Sequence, residues 1–231
     1  MKATQIQAGG IDLSAGVANL TLATAILAGS YLIGSIPSGY IFARLLRGAD
    51  ITREGSGHVG GFNALRAAGL LAALLTVAAD LGKGVLAAKL GLVYGVAWDT
   101  PTWVSPPAWG TASAWGTASG WAAACMAVLG HNHMAFLRLR GGKGLAATAG
   151  ALLVLSPWMA VGGLAALLLF ALLLRDTNTG AGVAVILLPF LALWREGSLV
   201  AVIGTAALSA VVVTKHLEDF RAYRRGRRKL I

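Results

Sequence analysis

The sequence predicts an all-α integral membrane protein with seven transmembrane helices, the N-terminus outside and the C-terminus cytoplasmic. Three observations favour this fold class. Hydrophobic residues make up 57% of the 231 residues, and the mean hydropathy is +0.73. Charged residues make up only 12%, against about 25% in an ordinary soluble domain. This composition excludes a soluble globular protein, and the length suits a single polytopic membrane domain over residues 1–231.

Seven apolar runs follow one another along the chain as candidate spans. They are Ala18 to Leu46, Leu70 to Val96, Ala118 to Leu137, Leu145 to Leu155, Trp158 to Leu174, Ala181 to Leu193 and Leu199 to Val213. The fourth run is doubtful, because it makes only about 16 Å of helix at 1.5 Å per residue. Ser156-Pro157, which follows it, is either a kink inside one span or a turn between two.

The distribution of basic residues resolves this choice. With seven crossings and the N-terminus outside, only Lys2 and Arg195 lie outside. The basic residues then placed inside are Arg44, Arg47, Arg53, Arg66, Arg138, Arg140, Lys143, Arg175, Lys215, Arg221, Arg224, Arg225, Arg227, Arg228 and Lys229. Cytoplasmic loops carry an excess of Lys and Arg. We therefore predict an outer turn at Ser156-Pro157 and a cytoplasmic basic tail over residues 216–231.

The net charge of +10 indicates basic loops that face anionic headgroups, anionic substrates or both. Nucleic acid is a poor candidate partner for such a membrane protein. The single cysteine, Cys125, excludes a disulfide framework and a cysteine-ligated metal site. His131 and His133 are two residues apart and have no accompanying carboxylate or cysteine cluster. We therefore expect neither a metal nor another cofactor.

Glycine-rich, polar and basic residues collect in three segments on the predicted cytoplasmic side. The first segment, residues 34–66, contains Ser56, Gly57, Asn63 and Arg66 among further glycines. Glycines allow backbone N–H groups to converge on an anion, while Ser and Arg side chains can donate to it. The alternative interpretation is a flexible loop without a ligand.

The second segment, residues 130–144, ends in Gly141, Gly142, Lys143 and Gly144, directly before a predicted helix. Orphan N–H groups and the helix dipole both favour a phosphate at such a place. The segment is not a Walker A loop, because the first glycine is missing at the required spacing and Gly144 replaces the magnesium-binding Ser or Thr. Nucleotide hydrolysis is therefore unsupported.

Two further sets of polar residues lie outside these glycine loops. Asp80 and Lys83, inside the second apolar run, are three residues apart and can neutralise each other on one helix face. They form either a structural ion pair or the edge of a substrate cavity. The third segment, residues 215–229, contains His216 and Asp219 at the same spacing, and these are better candidates for chemistry than its arginines, which suit anionic lipid.

The motifs together resemble the integral-membrane acyl-phosphate:glycerol-3-phosphate acyltransferases of bacteria, the PlsY family. The resemblance rests on five stretches in the expected order, namely GSIPSGY (34–40), GSGHVGGFNALR (55–66), DLGKG (80–84), GHNHMAFLRLRGGKG (130–144) and, more weakly, HLEDFRAYRRG (216–226). It implies a seven-span enzyme that transfers an acyl chain from acyl phosphate to the 1-hydroxyl of glycerol 3-phosphate. The products would be lysophosphatidic acid and phosphate, and a soluble phosphate acyltransferase is implied as the pathway partner that makes acyl phosphate.

The resemblance also implies roles for individual residues. Ser56 with Gly57 and Arg66 would bind a substrate phosphate, and Asn63 would help to shape their loop. Lys143 and the backbone of residues 141–144 would bind phosphate or the developing oxyanion. His131 and His216 fall on motif histidines and are candidate catalytic residues, with Asp80 and Lys83 in support.

The chemistry of the residues agrees with this activity. Acyl phosphate has a good leaving group, so the reaction needs proximity, oxyanion stabilisation and a modest base. We expect the hydroxyl proton to pass to His216 or to a substrate phosphate oxygen. No Ser or Cys has an evident adjacent base, so we expect no acyl-enzyme.

One departure from the family pattern concerns the acceptor. Asp219 replaces an Asn, and a carboxylate beside a phosphate site would repel the substrate unless Arg221 or His216 pairs with it. A related enzyme with another phosphorylated acceptor is therefore one alternative. A membrane transporter of an organic phosphate is the other, although the chain shows no repeated halves and its polar motifs lie at one membrane face.

Overall fold

The structure is a computed structural model that describes residues 13–99 and 114–226, with side chains over 17–95 and 117–226. The position of Lys2 and the last residues of the predicted tail, 227–231, lie outside the described residues. All regular structure within the described ranges is helical. The predicted all-α class is therefore confirmed.

Ten α-helices and one short 3₁₀ turn cover the described ranges. They are α1 Leu13–Ser35, α2 Ser38–Arg47, α3 Gly61–Ala68, α4 Leu70–Asp99, α5 Ala114–Asn132, the 3₁₀ turn Ala135–Leu137, α6 Leu145–Leu155, α7 Pro157–Leu174, α8 Thr177–Ile186, α9 Leu188–Arg195 and α10 Leu199–Arg224. Five helical stretches of the described chain are long and apolar enough to cross a membrane: Val17–Arg47, Leu70–Gly95, Pro157–Leu174, Thr177–Arg195 and Leu199–Arg224. α6 is apolar but shorter, and the number of seven crossings stays a prediction.

Three of the predicted apolar runs are interrupted rather than continuous. In the third run, Ala118 to Leu137, helix α5 ends at Asn132 and a separate 3₁₀ turn follows at Ala135–Leu137. The other two runs break next to a proline. The first run breaks at Ile36-Pro37, where the Ser38 N–H donates to the Ile36 carbonyl at 2.9 Å. The sixth run breaks at Leu187, directly before α9, which has a proline in its first turn. A proline has no N–H to give to a helix interior, so both breaks lie next to one. The first break also exposes the Ile36 carbonyl oxygen, which accepts a hydrogen bond from Lys83 of α4.

The helix break expected at Ser156-Pro157 is confirmed. α6 ends at Leu155, Ser156 has a non-helical backbone at φ −159°, and Pro157 is the first residue of α7. Proline suits a first helical position because the N–H there has no intrahelical partner. The side of the membrane on which this turn lies stays a prediction.

α4 lies at the centre of one half of the bundle, in contact with α1, α2, α3, α5 and α6, while α10 packs on α5, α8 and α9. Small residues allow these close contacts, as expected for packing within a membrane. A Cβ on Gly84 of α4 would collide with the Ala147 carbonyl of α6, and one on Gly34 of α1 would collide with the Ala127 carbonyl of α5. This packing places the end of α5 and the start of α6 beside α4.

Candidate functional site

The three segments predicted to carry the chemistry meet in space. The His58 ring, in the first segment, has its Nδ1 3.3 Å from the Gly141 carbonyl oxygen of the second. Lys143 of the second segment forms an ion pair with Asp219 of the third, on α10. The candidate site therefore draws on the loop before α3, the loop before α6 and the C-terminal part of α10.

Lys143 is the centre of this arrangement. Its Nζ donates to Asp219 Oδ2 at 2.6 Å and to Asn178 Oδ1 at 2.9 Å. The Lys143 and Asp219 side chains are 15% and 21% exposed, so the ion pair is covered but reachable. We expected His216 or Arg221 to pair with Asp219, and neither does. The partner is Lys143, which lies in the loop before α6. The sequence did not indicate Asn178, whose position beside Lys143 depends on the packing of α8.

The glycine turn that carries Lys143 packs tightly on the end of α5. The Gly142 N–H donates to the His131 carbonyl at 3.0 Å, so this N–H is already used and is not a free phosphate donor. Gly144 has φ +80° as the N-cap of α6, and no side chain caps this helix. A helix N-terminus without a side-chain cap presents orphan N–H groups toward an anion. Lys143 and the start of α6 are therefore the anion-binding features of this turn.

The loop before α3 is organised by the buried Asn63 side chain. Its Nδ2 lies within 3.0 Å of the carbonyl oxygens of Ile51, Glu54 and His58, and its Oδ1 accepts from the Ser56 N–H at 3.3 Å. The Gly57 N–H donates to the Glu54 carbonyl. Backbone N–H groups predicted to hold a phosphate are therefore used within the loop. Asn63 acts on the loop itself and holds its shape.

Among the predicted phosphate ligands of this loop region, Ser56 and Arg66 have exposed side chains. The Ser56 Oγ accepts a long contact from the His58 N–H at 3.4 Å. Arg66, in the last turn of α3, passes beside Gly55. A hydroxyl and a guanidinium that face solvent can still donate to a phosphate.

His216 is fully buried in α10. Its Nδ1 lies 3.0 Å from the Val212 carbonyl oxygen, which can only accept, so in the neutral ring the proton is on Nδ1. Nε2 is then a lone-pair acceptor, and within the described chain it has no hydrogen-bond partner. A Cβ on Gly182 of α8 would come within 3.2 Å of the His216 Cβ, so the glycine lets α8 approach this histidine.

The environment of His58 is electropositive. Burial lowers the pKa of His58, and the charge of Lys143 lowers it further, whereas the contact with the Gly141 carbonyl acts in the opposite direction. His58 is therefore neutral at pH 7. It was not among the candidate site residues, although it stands in the middle of the glycine motif and joins two loops.

His131, Asp80 and Lys83 lie in a separate buried group that also includes Ser38, which the sequence did not indicate. We call these residues the Asp80 cluster. The predicted pair is confirmed, with Lys83 Nζ 2.6 Å from Asp80 Oδ1. Lys83 also contacts Ser38 Oγ at 2.8 Å, so a serine does have a neighbouring amine. That amine is a charged donor held by Asp80, however, and does not serve as a base.

A metal centre has no support in this site. Among the side chains of residues 17–95 and 117–226, no group of three or more His, Cys, Asp or Glu could hold a metal ion. The cationic groups, Lys143 and Arg66, instead suit an anionic ligand.

Comparison with known proteins gives a family for this arrangement. Residues 24–226 match the family model described as glycerol-3-phosphate acyltransferase. A glycerol-3-phosphate acyltransferase of Symbiobacterium thermophilum is 36% identical over 199 residues, covering 85% of this chain and 88% of the relative. One from Thermus thermophilus is 36% identical over 211 residues, covering 90% and 94%.

The fold has solved counterparts. A crystal structure of PlsY (YgiH), an integral membrane glycerol 3-phosphate acyltransferase, in its glycerol 3-phosphate form superposes with a TM-score of 0.73 at 25% identity, covering 90% of this chain and 94% of that one. The lysophosphatidic acid form of the same protein gives a TM-score of 0.72.

Proposed function

The chain belongs to the glycerol-3-phosphate acyltransferase family, and from this premise we propose that it transfers a fatty acyl chain from acyl phosphate to the 1-hydroxyl of glycerol 3-phosphate. The products are lysophosphatidic acid and inorganic phosphate. The observation that carries the proposal is Lys143, a reachable cation on a glycine turn where the three polar segments meet. Both substrates carry a phosphate, and Lys143 is placed to bind one of them.

Each polar segment contributes one function in this proposal. Lys143, with the start of α6, binds phosphate and neutralises the negative charge that develops on it. Ser56 and Arg66, both exposed, bind the second phosphate from the loop that Asn63 shapes. Asn178 and Asp219 hold the Lys143 head in place before substrate arrives. Holding two substrates in one orientation supplies much of the rate enhancement.

The transfer is a single displacement. The glycerol 3-phosphate hydroxyl oxygen forms a bond to the acyl carbonyl carbon, and the bond from that carbon to the phosphate oxygen breaks. The electron pair of the broken bond leaves with inorganic phosphate. The hydroxyl proton passes to the lone pair of His216 Nε2, or to a phosphate oxygen of the substrate. No covalent acyl-enzyme is formed.

The membrane arrangement completes the proposal. Seven spans, an outer N-terminus and a cytoplasmic C-terminus place the three polar segments at the cytoplasmic face of the bacterial plasma membrane. The basic residues there face anionic headgroups. Acyl phosphate comes from a soluble phosphate acyltransferase, and the product enters phospholipid synthesis.

The first experiment identifies the donor and the acceptor. Purified protein in detergent is given palmitoyl phosphate or palmitoyl-CoA with glycerol 3-phosphate, and lysophosphatidic acid is quantified by mass spectrometry. We expect product from palmitoyl phosphate only, a loss of product in Lys143→Gln, and no loss in Arg224→Gln, an exposed charge at the end of α10.

Three outcomes would contradict parts of the proposal. Product from palmitoyl-CoA alone would overturn the donor. Asp219 favours a different acceptor as the second possibility, and phosphate release with another phosphorylated alcohol but not with glycerol 3-phosphate would establish it. Absence of any acyl transfer in detergent, combined with organic phosphate uptake into sealed vesicles, would establish a transporter.

A further inference from the structure

The Asp80 cluster joins three separate parts of the chain inside the helix bundle: the break before α2, the helix α4 and the end of α5. Its members, Ser38, Asp80, Lys83 and His131, are each 5% exposed or less. Lys83 Nζ donates to Asp80 Oδ1 at 2.6 Å, to Ser38 Oγ at 2.8 Å and to the Ile36 carbonyl oxygen at 2.6 Å. These three contacts use all three ammonium protons. The cluster thus ties the break between α1 and α2 to the middle of α4.

His131 connects this cluster to the glycine turn. On one edge of its ring, Nδ1 lies 3.6 Å from Asp80 Oδ1. On the other edge, Nε2 faces Gly142 so closely that a Cβ there would collide with the ring. The His131 carbonyl also accepts from the Gly142 N–H at 3.0 Å. Both the ring and the backbone of His131 therefore fix the residue next to Lys143.

We propose that His131 is a positioning residue, held by Asp80, that sets the Gly141–Lys143 turn in its anion-binding conformation and exchanges no proton with substrate. The inference rests on the proposed function, since Lys143 is taken as the phosphate ligand. It replaces the catalytic role that the motif resemblance implies for His131.

The neighbours of the His131 ring, on both of its edges, separate this residue from a proton carrier. The residue is 2% exposed, and its Nδ1 has almost no accessible surface. Asp80 covers one ring nitrogen and Gly142 faces the other. A group that exchanges a proton must reach the reacting atom directly or through one water. His216 is also fully buried and differs in its neighbours: among the described residues, no ion-pair partner lies against its ring, and its Nε2 has no hydrogen-bond partner.

Substitutions that change the side-chain size on each side of the contact between His131 and Gly142 test the proposal. His131→Ala removes the ring and leaves Asp80 and Lys83 paired, whereas Gly142→Ala adds a methyl group that collides with the ring. We expect each single variant to raise KM for the phosphate substrates by about tenfold, with kcat within about threefold of wild type. The His131→Ala/Gly142→Ala double variant should recover most of this KM, because its methyl group occupies the space of the ring.

A change in kcat and in its pH dependence would overturn the proposal. If His131 carries a proton, His131→Ala lowers kcat by about 100-fold or more and removes a limb of the pH profile, and Gly142→Ala cannot restore it. Asp80→Asn provides a second test that does not remove the ring. Its effect on KM should be present in the wild-type background and absent in the His131→Ala background, because Asp80 acts through His131. Additive effects would contradict the proposed coupling.

The control is Thr76→Val. It removes a buried hydroxyl of α4 that donates to the Ala72 carbonyl of the same helix. This variant should leave KM unchanged. If the wild-type protein shows no acyl transfer, the proposed function is overturned. The positioning role is then tested by the Kd for inorganic phosphate in the same variants. Weaker phosphate binding in His131→Ala that Gly142→Ala restores supports the role, and unchanged binding contradicts it.

Discussion

Two Lys–Asp ion pairs in this protein have the same length and opposite surroundings. The pair Asp80–Lys83 and the pair Lys143–Asp219 both have an N–O distance of 2.6 Å. In the first, which we call the closed pair, the side chains are 2% and 5% exposed. In the second, the open pair, they are 15% and 21% exposed. The N–O distance alone therefore does not indicate whether such an ion pair is structural or binds a ligand.

The difference lies in how completely each lysine is satisfied. Lys83 uses all three protons on protein oxygens. Lys143 donates to two acceptors among the described residues, Asn178 and Asp219, and keeps one proton for another ligand. A complete set of partners makes a buried charge a structural element. An incomplete set at a reachable position makes a binding site.

Breaking the closed pair should give the largest effect. Lys83→Met leaves the Asp80 carboxylate buried without its cation, and removing one partner of a buried pair costs about 3 to 5 kcal/mol. Lys143→Met at the open pair should cost less than about 1 kcal/mol, because partly exposed pairs contribute little. Chemical denaturation in detergent, followed by tryptophan fluorescence, measures both values.

A double variant controls for the loss of side-chain volume. Asp80→Leu/Lys83→Met removes both charges together and should recover most of the stability lost in Lys83→Met. Equal destabilisation by Lys83→Met and Lys143→Met would remove the distinction between the two pairs.

Breaking the open pair should chiefly affect catalysis. We expect Lys143→Met to lower kcat/KM by about 100-fold or more, equivalent to about 2.7 kcal/mol of transition-state stabilisation. Steady-state phosphate release from palmitoyl phosphate in the presence of glycerol 3-phosphate gives the value. Near wild-type kcat/KM in a folded Lys143→Met protein would exclude Lys143 as the phosphate ligand.

A subtler change sharpens the comparison within the open pair. The Asp219 carboxylate competes with the substrate phosphate for the positive charge of Lys143. Asp219→Asn should therefore lower KM for the phosphate substrate by about two- to fivefold, which is the scale of a partly exposed ion pair. Asn still accepts from Lys143, which keeps the lysine in place. A higher KM in Asp219→Asn would mean that the carboxylate orients Lys143 for the substrate instead of competing with it.

The smallest expected effect concerns pH. Burial lowers the pKa of His58, helped by Lys143, and burial also lowers the pKa of His133, helped by Lys215. In the unfolded chain the pKa of histidine is about 6.5. The stability contribution of each neutral histidine is therefore complete above about pH 6.5 and is lost as pH falls through the lower folded pKa.

The measurement is the change in unfolding temperature between about pH 7.5 and pH 5.5. His58→Asn should lose less stability on acidification than wild type, and His133→Asn should act independently with the same sign. An unchanged pH dependence in His58→Asn would contradict the shifted pKa.

Sequence patterns predicted what is local in this fold. The spacing of Asp80 and Lys83 on one helix gave their ion pair, and Pro157 gave the helix break after Leu155. The role of Asn63 in shaping its loop was implied by the family resemblance, and its side-chain hydrogen bonds to Ile51 and His58 lie within the same short segment.

Contacts between distant segments could not be read in this way. Lys143 and Asp219 are 76 residues apart, and Ser38 and Asp80 are 42 apart. No periodicity specifies such partners, because helix packing determines them. Asn178 carries no motif signal and becomes part of the site only through the position of α8 beside the glycine turn.

Equilibrium binding of inorganic phosphate to Lys143→Met and wild type, measured by calorimetry in detergent, tests most directly whether the open pair is the phosphate site. Donor and turnover do not enter this measurement. The account predicts binding weakened by about tenfold or more in Lys143→Met, with wild-type affinity in Arg224→Gln. Equal affinities in wild type and Lys143→Met, with the variant folded, would contradict it.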